Sequence, residues 1–306
     1  MNKTIFIVGN GAIGKALAVF LKLQGKNAVI LRGSVDDGSS VIEKIMVVLA
    51  DQSTLEAEVE ISTLGRFATL DGIVVLTNKS FGNGDLALTL KPKINTSPLV
   101  ILQNGLGVEQ VFTDHEFPGV YRCVLFVTSQ VATDGRVSFK PAFECPIGGI
   151  SGIDTSLNDI VEELSTPHFR FRAEENIQQV IWKKAIMNSV YNSVCPLLNI
   201  DNGIFHRNEQ ALAIAREIIA ECVQIAHETG VMLEQDDVIA SLVAISKASD
   251  GQLISTLQDI NRKLPTEIDT LNFAIVRIAE KFGKTHLVEQ TRLLGELVKL
   301  KSDINR

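Results

Sequence analysis

The chain has 306 residues, of which 45% are hydrophobic and 21% charged, and its net charge is −7. This length and composition are typical of a globular protein of about two domains, and the acidic balance argues against a nucleic-acid surface. Its apolar runs stay below the roughly 18 residues that a membrane span needs, and the first run is too short for a signal peptide. We therefore expect a cytoplasmic protein that binds neither nucleic acid nor membrane.

Short apolar runs alternate with helical stretches up to residue 172. The alternation predicts βαβ units and a mostly parallel sheet, with the first helix over residues 13–24. The runs that we assign to buried parallel strands are 4–8, 28–31, 73–77 and 99–102.

Two further strand pairs are predicted to be antiparallel. Apolar and acidic residues alternate strictly over 55–61, which is typical of a strand with one wet face, and this strand should form a hairpin with 45–49. A second pair, 123–130 and 137–139, is expected around the turn at Asp134-Gly135.

The rest of the chain shows helical periodicity. No low-complexity linker separates the two parts, so we place the boundary where the period changes. The sequence thus predicts an α/β domain over 1–172 and an all-α domain over 173–306. The predicted helices cover 177–194, 208–229, 238–246, 253–263, 267–282 and 289–301.

The four cysteines, Cys123, Cys145, Cys195 and Cys222, are far apart and form no C-x-x-C pair. We expect each to be a reduced, buried residue, as is usual in cytosolic proteins. The five histidines share no metal-ligand spacing, so no metal site is predicted.

A G-x-G-x-x-G pattern follows the first predicted strand and opens the first predicted helix. In that context it is typical of the dinucleotide-binding loop of a Rossmann domain: one glycine allows the tight turn, one admits a pyrophosphate, and one lets helix and strand pack closely. The alternative is a plain strand-to-helix turn. The candidate cofactor-binding residues of this loop are Gly9, Asn10, Gly11, Ala12, Ile13 and Gly14.

The end of the second strand indicates which dinucleotide is bound. An NAD site usually has an acidic residue there, whereas this chain has Arg32, followed closely by Ser34. Arg32 can make a bidentate contact with a 2′-phosphate, and Ser34 can donate a hydrogen bond to it. Asp36 and Asp37 lie slightly later and are the argument for NAD. We predict NADPH/NADP⁺ as the cofactor.

Lys79 and Asn104 follow two other predicted parallel strands. Because ligands of open parallel sheets bind at the carboxyl ends of the strands, both residues should lie near the glycine loop and Arg32. For Lys79 alone, a solvated surface lysine is the alternative.

Lys184, Asn188 and Asn192 recur every four residues, which places them on one stripe of a helix. A lysine can protonate a carbonyl oxygen as hydride reaches the carbon, and asparagines can hold a substrate without adding charge. The alternative is a wet helix face. Ser255 lies on the predicted helix 253–263, and we expect Glu267 in the first turn of the next helix, which begins near Pro265. Taken alone, Ser255 could be a surface serine and Glu267 an ordinary carboxylate at a helix start.

Together these motifs resemble the ketopantoate reductases (2-dehydropantoate 2-reductases) over nearly the whole chain. The matching segments are GNGAIG with Arg32, Lys79, QNGLG at 103–107, WKKAIMNSVYN at 182–192, STLQDINRKLPTEID at 255–269 and TRL at 291–293. The resemblance implies an N-terminal NADP-binding Rossmann domain, a helical C-terminal domain, and an active site in the cleft between them. It implies NADPH-dependent reduction of 2-dehydropantoate to (R)-pantoate, a step toward pantothenate and coenzyme A.

The resemblance also implies roles for individual residues. Lys184 is similar to the general acid of the family, and Asn104 to a residue that contacts the cofactor near the nicotinamide and helps to place that lysine. Glu267 resembles the acidic residue that anchors the substrate and supports the site.

Further residues match the family's binding positions. Lys79 is similar to a lysine that contacts the cofactor, and Asn188, Asn192 and Ser255 resemble contacts to the substrate hydroxyl and carboxylate. The implied partner is a small 2-oxo acid, and a homodimer is compatible with the apolar helical domain.

Two departures from the family pattern concern the substrate. This chain has Asn272-Phe273 where relatives often have Asn-Gly, and Ser-Val-Cys-Pro at 193–196 where Asn-Pro-Leu-Thr is more usual. Two alternatives therefore stay open: a related reductase of another 2-oxo acid, or a non-catalytic NADP-binding sensor.

Overall fold

The computed structural model describes residues 3–33, 36–152 and 156–306. The chain forms two compact units. The first comprises Met1–Asn104 and Val108–Ile177, and the second comprises Gly105–Gly107 and Gln178–Arg306. The short segment Gly105–Gly107, from the middle of the first unit's chain, thus belongs to the second unit, which the sequence periodicity did not indicate.

The first unit is an α/β structure built on a single sheet. Its strands are β1 (Thr4–Val8), β2 (Ala28–Arg32), β3 (Val41–Val48), β4 (Thr54–Thr63), β5 (Gly72–Leu76), β6 (Leu99–Ile101), β7 (Val120–Cys123), β8 (Val127–Val131), β9 (Val137–Pro141), β10 (Cys145–Ser151) and β11 (Phe171–Ala173). Its helices are α1 (Ala12–Leu23), α2 (Asn83–Leu90), α3 (Gln110–Asp114) and α4 (Leu157–Leu164).

The strand order across the sheet is β11-β10-β7-β6-β5-β1-β2-β4-β3-β9-β8. The strands from β7 through β4 in this order are all parallel to their neighbours, as the βαβ alternation predicted. Side chains alternate between the two faces of β1: Ile5 and Ile7 pack in the core that contains α1, while Phe6 and Val8 pack in the core that contains α2 and α3. Both faces of the central sheet are therefore buried, which explains why its strands read as continuous apolar runs.

The predicted hairpin is confirmed as the antiparallel pair β3 and β4. The turn between them is closed by Asp51, whose Oδ1 accepts a hydrogen bond from the Ser53 N–H over 3.0 Å. The first part of β4 alternates between exposed and half-buried residues, so this strand has the wet face that its acidic residues indicated.

The single strand predicted over 123–130 is wrong. Two strands occupy this stretch: β7 lies between β6 and β10, and β8 pairs with β9 at the far edge of the sheet. Residues 124–126 join them without forming a strand, and the Val124 N–H donates to the Pro146 carbonyl. The linking residues are apolar, so neither glycine nor proline marks the break.

The second unit is helical. Its helices are α5 (Ile177–Leu198), α6 (Ile204–Arg207), α7 (Glu209–Glu228), α8 (Gln235–Ala248), α9 (Ser255–Asn261), α10 (Asn272–Lys281) and α11 (Glu289–Ile304). The helix predicted to end at 194 continues to Leu198, with Pro196 in its last turn.

The start predicted for the helix over 267–282 is wrong. Residues Ile268–Thr270 form a single 3₁₀ turn, and α10 begins only at Asn272. The break falls at Leu271, whose ψ of −101° is not helical. Neither Pro265 nor Glu267 therefore lies in a first helical turn.

All four cysteines are buried and free, as predicted. Burial raises the pKa of the Cys195 and Cys222 thiols to about 12, so both are inert neutral groups at neutral pH. None of the helices in the described part of the chain has the length and apolar character to cross a membrane.

Candidate active site

Backbone packing shapes the glycine-rich loop between β1 and α1. Gly9 has a φ of +125°, and a Cβ there would lie 2.6 Å from the Asn78 backbone nitrogen. A Cβ at Gly14 would lie 2.2 Å from the Gly9 carbonyl oxygen, so neither position can carry a side chain without a shift. Gly11 is exposed, and a Cβ there would meet no described atom within 4 Å.

The open space at Gly11 fits a dinucleotide. Asn10 is exposed beside it, and Ala12 and Ile13 form the first turn of α1. The first N–H groups of a helix have no intrahelical partner and attract anions. A pyrophosphate can therefore approach this backbone where a side chain would otherwise stand.

Thr77, which the sequence analysis treated only as the end of a strand, supports this loop. Its hydroxyl oxygen lies 3.2 Å from the carbonyl oxygens of both Val8 and Gly9, to either of which it can donate. Its backbone N–H donates to the Val8 carbonyl over 2.9 Å. A threonine directly after an apolar strand was the available signal.

Arg32 is the last residue of β2 and is half-buried. Its Nη2 donates to the Asp37 carboxylate over 3.2 Å and to the Ser39 hydroxyl. Hydrogen bonds from Ser39, together with the Arg32 charge, hold the pKa of Asp37 below its ordinary value. The buried Nε of Arg32 has no hydrogen-bond partner among the described residues. An anionic ligand would satisfy this donor.

The two aspartates that argued for NAD are both engaged within the protein. Asp36 accepts a hydrogen bond from the Gly65 N–H over 2.7 Å, and Asp37 is paired with Arg32. Ser34, the other candidate contact to a 2′-phosphate, lies outside the described residues.

The predicted residues at the strand ends share one edge of the sheet. Lys79 is exposed shortly after β5, and Asn104 is half-buried shortly after β6. Because β6, β5, β1 and β2 are parallel neighbours, their carboxyl ends bring Lys79, Asn104, Arg32 and the glycine loop to the same edge.

A buried amide pair, not predicted from the sequence, lies beneath this edge. Asn83 and Gln103 exchange hydrogen bonds of 2.8 and 2.9 Å through their side-chain amides. Gln103 also donates to the Asn78 side chain over 3.3 Å. Gln103 and Asn78 immediately precede Asn104 and Lys79, so this network joins the two loops that carry the candidate site residues.

A buried ion pair completes the network. Arg122 is 2% exposed, pairs with Glu109 through Nη1, and donates to the Gln103 carbonyl through Nη2 over 3.3 Å. A fully buried arginine needs such partners, because an unpaired buried charge is costly.

The predicted polar stripe lies on α5, the first helix of the second unit. Lys184 and Asn188 are half-buried, and Asn192 is only 2% exposed. The Asn192 side chain donates to the Asn188 carbonyl over 3.0 Å.

The Asn192 side-chain oxygen also holds the start of α9. It accepts from the Ser255 hydroxyl and from the Thr256 N–H, both at 3.2 Å. The structure thus joins the side chains of Asn192 and Ser255, with Ser255 at the exposed end, and Asn188 takes part only through its backbone carbonyl.

Glu267 is half-buried and immediately precedes the 3₁₀ turn. Its carbonyl accepts from both the N–H and the hydroxyl of Thr270, each over 3.0 Å. The Thr270 carbonyl in turn accepts from the Leu106 N–H over 2.9 Å, and a Cβ at Gly105 would lie 2.5 Å from Thr270. The loop after Asn104 is therefore held against the turn that follows Glu267.

The described residues contain no group of three or more His, Cys, Asp or Glu side chains that could hold a metal ion.

A parallel sheet with a glycine-rich first turn, followed by a helical unit, defines a dinucleotide-binding protein of the α/β type. The models of two ketopantoate reductase regions match this chain: the family model ketopantoate reductase PanE/ApbA over residues 5–152, and its C-terminal region over residues 176–301. The chain therefore belongs to the ketopantoate reductase family and is an oxidoreductase. This family uses NADPH.

Individual relatives agree with this assignment. A 2-dehydropantoate 2-reductase of Pyrococcus abyssi is 26% identical over 280 residues, covering 90% of this chain and 91% of the relative. A PanE/ApbA family ketopantoate reductase from Ralstonia eutropha JMP134 has a TM-score of 0.83 at 24% identity, covering 99% of both chains. A D-mandelate dehydrogenase with NADH and anilino(oxo)acetate also has a TM-score of 0.83, at 20% identity and 99% coverage of both chains. At these identities the structural likenesses establish a shared fold.

Proposed function

We propose that this protein reduces 2-dehydropantoate to (R)-pantoate with NADPH, and that Lys184 is the general acid. The observation that most directly supports this proposal is that both regions of the family model match the chain, with the glycine loop and Lys184 in matched segments. The open face at Gly11 and the buried Nε of Arg32, which has no hydrogen-bond partner within the described ranges, support NADPH as the cofactor.

In this proposal NADPH, when bound, supplies a hydride to the carbonyl carbon of the 2-oxo acid. Lys184 donates a proton to the carbonyl oxygen, which becomes the new hydroxyl. Asn188 and Ser255 hold the polar groups of the substrate without adding charge, and Glu267 anchors the substrate. Asn192 has its oxygen occupied by Ser255 and Thr256, so it contributes mainly by fixing the start of α9.

The test compares wild type with Lys184→Ala in an assay that follows NADPH oxidation in the presence of 2-dehydropantoate. Loss of a positioned general acid should lower kcat by about 10²-fold or more, while NADPH still binds. Lys183→Ala is the matched control, because Lys183 is an adjacent half-buried lysine on the same helix that lies off the stripe.

Two results would contradict the proposal. If Lys184→Ala and Lys183→Ala lowered kcat equally, Lys184 would not be the general acid. If the wild-type protein binds NADPH but does not oxidise it with 2-dehydropantoate, then 2-dehydropantoate is not the substrate. Turnover with another 2-oxo acid would then identify a related reductase, and no turnover with any would identify a sensor.

A reductase of another 2-oxo acid is the second candidate. The likeness to D-mandelate dehydrogenase favours it, because the same fold there serves an aryl substrate. Under this candidate, 2-oxo-2-phenylacetate, the oxidised form of mandelate, would be reduced with a higher kcat/KM than 2-dehydropantoate.

We further propose that the enzyme works in the cytoplasm. The four free, buried thiols support this location, because free cysteines are usual in a reducing compartment.

A further inference from the structure

Strands β2 and β4 end side by side at the sheet edge that carries the glycine-rich loop, because β1, β2 and β4 are parallel neighbours. The last residue of β2 is Arg32, and the last residue of β4 is Thr63. These two residues are register partners. Thr63 is fully buried, so its hydroxyl group needs a hydrogen-bond partner.

The side chains of Arg32 and Thr63 lie on the same face of the sheet. Ile30 and Ile61, which are also register partners, belong to the core that contains α1. Because side chains alternate along a strand, the residues two positions later lie on that same face. Arg32 and Thr63 are therefore neighbours on the face that α1 covers, on strands about 4.8 Å apart.

Each of these two side chains has a buried polar atom without a hydrogen-bond partner among the described residues. The atoms are the Nε of Arg32 and the hydroxyl oxygen of Thr63. A buried polar atom without a partner is costly, and such atoms often mark the place of a water or a ligand. The Nε can only donate, and a hydroxyl can also donate. Together they fit a group that accepts two hydrogen bonds.

We propose that Thr63 is a second residue that binds the 2′-phosphate of NADPH, through its hydroxyl group. This inference rests on the proposed binding of that phosphate at Arg32. The phosphate offers several acceptor oxygens, one for the Thr63 hydroxyl and others for the guanidinium. NADH has only an uncharged hydroxyl at this position, so the contact favours NADPH.

The phosphate needs a way to the buried hydroxyl, and the Arg32 side chain can provide it. Among the described residues, the Arg32 guanidinium is bound only by the side chains of Asp37 and Ser39. When the phosphate replaces these two partners, the guanidinium can turn toward it. Thr63, a β-branched residue with few rotamers, stays as a fixed donor beside it.

Ser62 provides a comparison within the same strand. Its hydroxyl is also buried and has no partner in the described part of the chain. Ser62 is the register partner of Leu31, which belongs to the core on the opposite face, with α2 and α3. Ser62 is therefore separated from the Arg32 side chain by the sheet, and we assign it no contact with the phosphate.

Fluorescence titration of NADPH and NADH tests the proposal, because the two cofactors differ only in the 2′-phosphate. Thr63→Val keeps the shape of the side chain and removes the hydroxyl. It should weaken NADPH binding about tenfold or more, as expected for one hydrogen bond to a charged group, and change NADH binding less than about twofold. Ser62→Ala is the matched control and should bind both cofactors like wild type.

Thermal unfolding without added cofactor separates binding from a structural role. Thr63→Val should keep or raise the wild-type Tm, because it removes a buried polar group that has no partner. A hydroxyl that mainly supports the fold would instead lower the Tm when it is lost. Thr63→Ser retains the hydroxyl and should keep a larger preference for NADPH over NADH than Thr63→Val.

An unchanged NADPH affinity in Thr63→Val would overturn the proposal and would mean that the hydroxyl holds no more than a buried water. Equal losses for NADPH and NADH, or the same loss in Ser62→Ala, would overturn it too. Arg32→Asp separates this failure from that of the proposed cofactor. If only Arg32→Asp loses the preference for NADPH, the phosphate site stands without Thr63. If neither variant loses it, both the phosphate site at Arg32 and the role of Thr63 are wrong.

Discussion

At the scale of single residues, our proposal assigns the choice of cofactor to Arg32. Its guanidinium is already held by Asp37 and Ser39, so a 2′-phosphate must exchange with the Asp37 carboxylate. This exchange is favourable if the phosphate also satisfies the buried Nε, which lacks a partner among the described residues. Under this proposal Asp37 keeps Arg32 in place and is not the ribose ligand of an NAD site.

Arg32→Asp should weaken NADPH binding about 10- to 100-fold, as expected for the loss of one charged hydrogen-bond pair, and weaken NADH binding much less. Fluorescence titration of the two cofactors measures both effects. Asp37→Asn serves as the control, because it leaves the guanidinium in place and should retain the preference for NADPH. If Arg32→Asp weakened the binding of NADPH and NADH equally, Arg32 would not contact the 2′-phosphate.

The unusual residue Phe273 has a packing explanation. Its ring contributes to the small core that contains Ile260, Ile268 and Val298. A Cβ at Gly295 would lie 3.4 Å from the ring, an ordinary contact distance, and 3.1 Å from the Asn272 Cβ, so α11 packs closely on the start of α10. The sequence marked Phe273 as a departure from the family pattern, but it could not reveal that the ring packs on a core that includes Val298, 25 residues later.

At the scale of elements, Gln103 links the ends of β5 and β6. Its amide bonds to Asn83 and Asn78, and its carbonyl accepts from Arg122. Since Lys79 and Asn104 each follow a residue of this network, we propose that Gln103 positions both. The sequence analysis included Gln103 in the matching segment QNGLG but gave it no role, because a glutamine beside a glycine-rich turn resembles an ordinary loop residue.

Gln103→Leu should lower kcat/KM by about tenfold or more and destabilise the fold by about 1–3 kcal/mol, because it leaves a buried amide without its partner. Ser97→Ala is the matched control. Ser97 donates to the Leu70 carbonyl over 2.6 Å and accepts from Gly72 N–H over 3.0 Å, just before β6 begins. The control should lose comparable stability but keep its activity. If both variants lost activity in proportion to stability, the role of Gln103 would be purely structural.

The sequence predicted strands correctly where the pattern of apolar residues alone was enough to identify them. The parallel strands and the hairpin were confirmed, because continuous and alternating apolar patterns differ clearly. Strand β10 was missed because Gly148-Gly149 is untypical of a strand. The structure explains the first glycine: a Cβ at Gly148 would lie 2.4 Å from Ile177. Such close approaches depend on residues that are distant in sequence, which a local pattern cannot reveal.

In the candidate site, too, some features could be predicted from the sequence and others could not. The glycine loop, Arg32, Lys79 and Asn104 could be placed on one sheet edge from strand order alone. The hydrogen bonds of Thr77, Gln103 and Arg122 could not be predicted from the sequence, because each joins segments that are separated along the chain.

At the scale of the whole molecule, the chain connects its two units more than once. Gly105–Gly107 belongs to the second unit although the chain on both sides of it belongs to the first. Within the second unit this segment is held by the Leu106–Thr270 hydrogen bond and by the packing of Gly105 on Thr270. It begins directly after the Gln103 network and Asn104, so loss of the second unit's fold should release the end of β6.

We therefore expect the two units to unfold in one cooperative transition. The single tryptophan, Trp182, is 4% exposed on α5, so its fluorescence reports on the second unit. At about 100 times its Kd, NADP⁺ bound to the glycine loop of the first unit should stabilise the protein by about 2.7 kcal/mol. The midpoint seen by Trp182 fluorescence should rise by the same few degrees as the midpoint seen by far-UV circular dichroism. Arg32→Asp, at the same NADP⁺ concentration, should reduce both shifts together. A Trp182 midpoint that NADP⁺ leaves unchanged would mean that the second unit unfolds on its own, and that the inserted segment does not couple them.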